Sequence, residues 1–164
     1  MQIRKSAPED LAQIMALYAA AREFMRENGN PNQWGDSYPA QEMIEADIAA
    51  GKSYVCTEGE EIIATFYFAV EEDPTYRQIE QGAWLCGGPY GVIHRITAKR
   101  SVRGAASFCI AWCYGQHDNL RIDTHRDNQP MRRCLERNGF IYCGVIHIAD
   151  GSERIAFQKP PKGV

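Results

Sequence analysis

No stretch of the 164-residue sequence approaches the ~18 consecutive apolar residues of a membrane span. An apolar h-region is also missing at the N-terminus, which carries Arg4, Lys5, Glu9 and Asp10; this is unlike a signal peptide, so a cytoplasmic location is the default expectation. Basic residues are not in excess. With 18 Lys and Arg against 21 Asp and Glu the net charge is -3, which argues against a general nucleic-acid binder, since that needs a basic face. The six cysteines, at 56, 86, 109, 113, 134 and 143, form no Cys-x-x-Cys pair, so a zinc ribbon or thioredoxin-type site is not expected and buried reduced thiols are. His94, His125 and His147 fall on three expected strands but without metal-ligand spacing, so no metal is expected. Repeats, low-complexity tracts and domain linkers are absent, and the length suits one domain over residues 1–164.

Hydrophobic patterning then supplies the elements. Ile3 marks a short strand. Ser6-Ala7-Pro8-Glu9 reads as a capping box with Ser6 as N-cap, followed by Leu11, Ile14, Met15, Leu17 and Tyr18 at helical spacing to about Glu27. Asn28-Gly29-Asn30-Pro31 stops that helix, and a second one carries Met43, Ile44, Asp47 and Ile48 up to Gly51. Strands are expected over 53–57 and 62–70, joined by Glu58-Gly59-Glu60, and then a loop over 71–89. A strand over 90–97, a helix over 104–116 with Ala105, Phe108, Cys109, Trp112 and Cys113 on one stripe, and a strand over 120–125 make a β-α-β unit, which predicts a parallel crossover. A short helix over 129–138, ended by Gly139, precedes strands 140–148 and 153–158 joined by Asp150-Gly151. The expected class is α/β (α+β): a mixed, mostly antiparallel central sheet flanked by helices.

Two places carry chemistry. Lys99, Arg100 and Arg103 form a basic cluster after a strand, and Gly104-Ala105-Ala106-Ser107 opens a helix with small residues only. Free N–H groups at a helix start attract phosphate, and small side chains let a large anion reach them; a plain helix start packed on a sheet looks the same in sequence. Further on, Asn128 precedes a short helix that ends at Gly139-Phe140, and Asn128 also has the makings of an ordinary N-cap.

Together these pieces resemble the GNAT superfamily of acetyltransferases. Its pyrophosphate motif, Gln/Arg-x-x-Gly-x-Gly/Ala, falls on Ser101-Val102-Arg103-Gly104-Ala105-Ala106, and its Asn-to-Gly-Phe spacing falls on Asn128, Gly139 and Phe140. Three positions depart from the family: Ser101 replaces Gln or Arg, Tyr90 stands where a Glu base is common, and Leu135 stands where a Tyr acid is usual. The resemblance implies the GNAT acyl-CoA N-acyltransferase fold and acetyl-CoA as co-substrate, without a metal. The pyrophosphate is then expected on the amides of Val102, Arg103, Gly104, Ala105, Ala106 and Ser107. The pantetheine arm is expected beside the backbone of His94, Arg95 and Ile96, with Asn128 on the same arm and Arg132 or Arg133 near the ribose phosphate.

Transfer from a thioester to an amine needs a neutral amine, a stabilised oxyanion and a leaving thiolate. Strand alternation predicts that Tyr90, Val92, His94 and Ile96 share one face, and that Arg121, Asp123 and His125 share one on the next strand. Asp123, at a place where some relatives carry a catalytic Glu, and His94 are the expected bases; each is equally readable as a hydrogen-bonded strand residue. Trp34, Asp36 and Tyr38 on the loop between the first two helices, with Tyr90 and His125, suit a cationic amine by cation–π and charge pairing. The implied activity is acetylation of a small-molecule primary amine; acetylation of protein amines, and a non-catalytic acyl-CoA sensor, are the alternatives. The resemblance also implies a homodimer, while the charge and the lack of an apolar span imply no nucleic-acid or membrane partner.

Overall fold

A computed structural model describes residues 1–164. Seven strands form one sheet: β1 (Gln2–Lys5), β2 (Ser53–Glu58), β3 (Glu61–Val70), β4 (Gly91–Ala98), β5 (Leu120–Thr124), β6 (Ile141–His147) and β7 (Glu153–Lys159), in the order β1-β2-β3-β4-β5-β7-β6. Four helices flank it: α1 (Leu11–Glu27), α2 (Gln41–Ala49), α3 (Ala105–Gln116) and α4 (Gln129–Arg137). None is long and apolar enough to cross a membrane. Every strand pair is antiparallel except β4 with β5, which is the expected parallel crossover. That pair is registered at two positions only, Gly91↔Leu120 and Val92↔Arg121. Past Val92 the two strands part, and β4 keeps a strand partner on its β3 side alone.

Helices cover both faces. On one, Ile14, Leu17 and Tyr18 of α1 and Ile44 of α2 pack over Val55 and Ile62. Their i, i+3, i+4 spacing makes a single apolar stripe, and each such burial stabilises by about 1.5–3 kcal/mol. On the other face, α3 and α4 bury Cys109, Ile110, Cys134 and Leu135 against Phe66, Ile93, Ile96 and Phe157. Phe108, expected on the buried stripe of α3, is 40% exposed; Ile110 takes its place, because the helix is set by Cys109 and Cys113 facing the sheet.

The start of α1 also differs from expectation. Ser6 does not cap it: its hydroxyl bonds Ser53 Oγ at 2.8 Å. A 3-10 turn, Pro8–Asp10, comes first, and the Asp10 carboxylate accepts from the Ala7 N–H (2.7 Å) and from both terminal nitrogens of Arg4 (2.6 and 3.0 Å). The pull of Arg4 on β1 shifts the closing carboxylate one residue beyond Glu9. The Arg4 hydrogen bond holds the Asp10 carboxyl below its ordinary range.

A β-bulge decides the faces of β4. The β3–β4 register slips between Thr65 and Tyr67, and Arg95 has φ +53°, rare for a residue with a Cβ. One inserted residue reverses the alternation after it. Ile96 therefore joins Ile93 in the α3-side core, while Tyr90 and Val92 remain on the opposite face. The expectation that Ile96 shares a face with His94 is corrected by this bulge.

Residues 71–89, expected as a loop, are a brace. Asp73 caps a 3-10 turn at Pro74–Tyr76, Tyr76 is fully buried, and the Trp84 indole N–H donates to the Tyr76 carbonyl at 2.9 Å. Glu80 then exchanges two main-chain bonds with Val145 of β6, both 2.8 Å. The approach is close enough that a Cβ on Gly82 (φ +155°) falls 2.0 Å from the Cys143 carbonyl oxygen. Gly82→Ala should therefore lower stability by at least about 2 kcal/mol, since main chain must move to admit it. A denaturation midpoint that drops no more than that of Gly59→Ala, at an open hairpin turn, is the outcome that contradicts this packing.

Candidate active site

At the end of β4 the chain turns through Lys99–Gly104 into α3. Gly104 is left-handed (φ +79°), and a Cβ there would meet nothing within 4 Å. Val102 does not offer its amide, contrary to expectation, because it donates to the Lys99 carbonyl at 3.1 Å. The next five main-chain N–H groups, Arg103 to Ser107, have no acceptor; the first helical bond runs from Phe108 to the Gly104 carbonyl (2.9 Å). Five adjacent free donors on the positive end of a twelve-residue helix, with open space in front, form a cradle for an anion. Of the basic cluster, Lys99 is paired with Glu61, Arg100 stacks on Phe24 at 4.1 Å, and Arg103 has no partner and stays exposed.

The cradle opens into a cavity of about 800 Å³ that runs between α1 and α4 to the end of β4. Small residues on α1 (Ala16, Ala20, Ala21) form one wall, Met131 and Cys134 of α4 another, and Ile96–Ala98 the floor. Asn128 lines it. Its Oδ1 caps α4 by accepting from the Met131 N–H (3.2 Å), and its Nδ2 donates to Gln33 Oε1 (2.9 Å), which also accepts from Asn30 (2.7 Å). The basic residue of α4 at the cavity wall is Arg137, not Arg132 or Arg133: Arg132 donates to the Arg126 carbonyl and Arg133 is exposed. The side chains of His94 and Arg95 are outside this cavity. Arg95 is tied to Asp47 and reaches the Tyr38 hydroxyl at 3.4 Å, so any contact these two make with a ligand there is through the open main-chain edge of β4.

The titratable side chains gather beside that edge. His94 Nε2 is 2.8 Å from Asp73 Oδ2, and the Tyr76 hydroxyl donates to Asp123 Oδ2 at 2.7 Å. Tyr67 and Tyr76 flank the His94 ring at 5.4 and 6.2 Å between centroids. Burial, then the Asp123 charge, pushes the Tyr76 phenol far up, so it keeps its proton and remains the donor. Burial alone would raise the Asp73 carboxyl, but hydrogen bonds from His94 and Thr75 outweigh it and hold the group below its ordinary value. Arg121 shares the face of Asp123 without touching it; its guanidinium lies between the Trp84 and Tyr90 rings, 4.2 Å from each.

The expected acceptor residues are only partly brought together. Trp34 lines the cavity and packs edge-on against Tyr18. Tyr38 lies against Trp34 but outside the cavity wall. Asp36 is 95% exposed beside Arg26 and does not line the cavity. Tyr90 is buried and its hydroxyl accepts from the Asp73 N–H (2.8 Å), which makes it a support of the brace. His125 accepts from the Asp127 N–H at 3.0 Å, and burial together with Arg154 lowers its pKa, which leaves it neutral at pH 7. Asp73 and Tyr76 are the site residues that sequence reasoning missed. Asp73-Pro74-Thr75, an Asp before a turn-forming Pro, was the available signal.

No protein-family model and no curated protein matches the sequence. Solved structures do. A GNAT-family acetyltransferase from Streptococcus agalactiae aligns with a TM-score of 0.89 at 30% identity, over 98% of this chain and 95% of that one. One from Listeria monocytogenes aligns at 0.70 and 21%, over 96% and 93%. A GNAT-like decarboxylase in complex with isobutyryl-CoA aligns at 0.66 and 12%, over 98% and 99%. The last two likenesses speak for the fold alone.

Proposed function

Because the chain belongs to the GNAT family of acetyltransferases, we propose that it moves an acetyl group from acetyl-CoA to the primary amine of a small molecule, by direct attack in a ternary complex. The observation that carries this is the run of five free amides, 103–107, at the mouth of a cavity that ends on the unpaired edge of β4. A diphosphate fits the amides, and an extended arm fits the cavity. The arm's amides find the open β4 edge as an added strand would.

The chemistry follows from the surroundings. A lysine-type amine, with a pKa of ~10, arrives protonated and needs a base, which the His94 and Asp123 cluster supplies. A free N–H on the β4 edge is suited to the oxyanion of the tetrahedral intermediate. Leu135 is fully buried in the α3–α4 core, so no side chain at that position protonates the leaving group. A thiol with a pKa of ~8.5 leaves as the thiolate without one. Trp34 presents an aromatic wall to a cationic acceptor.

Thiol release from acetyl-CoA, measured against a panel of small amines and a peptide with a free N-terminus, tests the reading. The absence of Glu at Tyr90 and of Tyr at Leu135 favours the sensor alternative, and tight acetyl-CoA binding without turnover on any acceptor would establish it. Asp123→Asn should lower kcat/KM for the amine by about tenfold or more while the acetyl-CoA Kd stays within about twofold. Equal losses in both would mean that Asp123 only holds Tyr76.

A further inference from the structure

Two titratable groups, Asp123 and His94, stand on β5 and β4 beside the point where these strands part, and their partners separate them. Asp123 accepts from a phenol that keeps its proton, so its carboxylate is already engaged. His94 has what a base needs around it: an anchored carboxylate on one ring nitrogen and aromatic rings beside it.

The geometry points to Asp73 as the positioning residue that makes His94 Nδ1 the proton acceptor for the attacking amine, an inference that rests on the acyl-transfer reading above. Asp73 is itself fixed. Its Oδ1 accepts from the Thr75 N–H (2.8 Å) and the Thr75 hydroxyl (2.7 Å), its own N–H donates to the Tyr90 hydroxyl, and its Oδ2 is left for His94 Nε2. An ionised carboxylate only accepts, so Nε2 must carry the hydrogen, and the neutral ring then has its lone pair on Nδ1, for which the structure holds no partner. The other ionisable groups around the ring are Tyr67 of β3, Glu71 just after that strand, and Tyr76 with Asp123 behind it. Tyr67 is engaged with Glu71, Glu71 also with Lys52 (2.7 Å), and Tyr76 with Asp123, so none of them competes for Nδ1.

The reaction balances through this pair. Two protons leave the ammonium. The first passes to His94 Nδ1, and Asp73 offsets the imidazolium charge until solvent takes that proton. The freed lone pair forms the N–C bond, and the C–S bond breaks with its electron pair on sulfur. The second proton leaves the new amide nitrogen for solvent or the thiolate.

Asp73→Asn tests the assignment. The two Thr75 donors keep an oxygen in the Oδ1 place, so the amide NH₂ of the variant faces His94, donates to Nε2 and forces the hydrogen onto Nδ1. In ¹⁵N spectra of the full-length chain, His94 should be the Nε2–H tautomer in the wild type and Nδ1–H in the variant. Transfer to the best alkylamine of the panel should fall about a hundredfold or more. Transfer to hydroxylamine, which is uncharged at neutral pH, should fall less than about tenfold. His94→Gln should show the same split, and the double variant should be no worse than either single one. A wild-type Nδ1–H tautomer, turnover in Asp73→Asn within about threefold of wild type, or double-variant losses that multiply would each overturn the inference. If Asp73→Asn melts, the wild-type tautomer and His94→Gln still decide. If the wild type binds no acetyl-CoA, the reading of function fails instead, and the tautomer result stands apart from it.

Discussion

Gly104→Asp should abolish acetyl-CoA binding, seen by calorimetry as a loss of at least about a hundredfold in affinity with the melting curve preserved. The fold should tolerate the change. The residue is left-handed at φ +79°, a region Asp enters more readily than most residues, and its Cβ would meet nothing within 4 Å. What the carboxylate does meet is the space in front of the free amides of Arg103 to Ser107. There it takes for itself the donors that a diphosphate needs, and it adds like charge. Two unit charges 4 Å apart at an effective dielectric of ~20 repel by about 4 kcal/mol, more than enough for a hundredfold. Gly104→Ala carries the same backbone strain without the charge and should lose far less. Unchanged affinity in the Asp variant, with the fold intact, would remove the cradle from the argument.

That cradle was legible in the sequence because it depends on residue types: a glycine for the turn and small side chains after it. What escaped was local geometry. Nothing in Lys99-Arg100-Ser101-Val102 says that the Val102 amide is spent on the Lys99 carbonyl. The helices were legible from apolar spacing and their stop residues, and the strands, which at the centre bury both faces, from β-rich runs bounded by turns. The bulge at Arg95 was not, because the usual sign of a positive φ is a glycine and here the strain is held by tertiary partners, Asp47 and the Tyr67 ring. One unmarked residue was enough to send Ile96 to the wrong face.

The brace over 71–89 shows the other kind of limit. Its order comes from long-range pairs, Glu80 with Val145 and Leu85 with the Gln158 side chain (2.7 Å), and no period or turn motif announces a bond to a strand some 65 residues away in sequence. Asp73 and Tyr76 were hidden with it. His94 was found as a titratable residue on its strand and Asp123 through the family resemblance, yet their partners lie on the brace, so their roles could not be told apart from sequence.

The phosphate end and the arm end of the site can be separated by a substitution on α1. Ala20 lines the cavity opposite α4, and its side chain faces that space rather than the core. Ala20→Trp fills the passage with an indole but leaves the helix stripe of Ile14, Leu17 and Tyr18 untouched, so stability should change by no more than about 0.5–1 kcal/mol. Binding of acetyl-CoA should fall by about a hundredfold or more, because an arm that cannot lie in the cavity forfeits both its apolar contacts and its bonds to the β4 edge. Adenosine 3′,5′-bisphosphate, which carries phosphates and no arm, should bind the variant as it binds the wild type. Gly104→Asp should weaken both ligands. The two variants thus place two halves of one molecule on two ends of one cavity, and a Trp at position 20 that spares acetyl-CoA would mean the arm runs elsewhere.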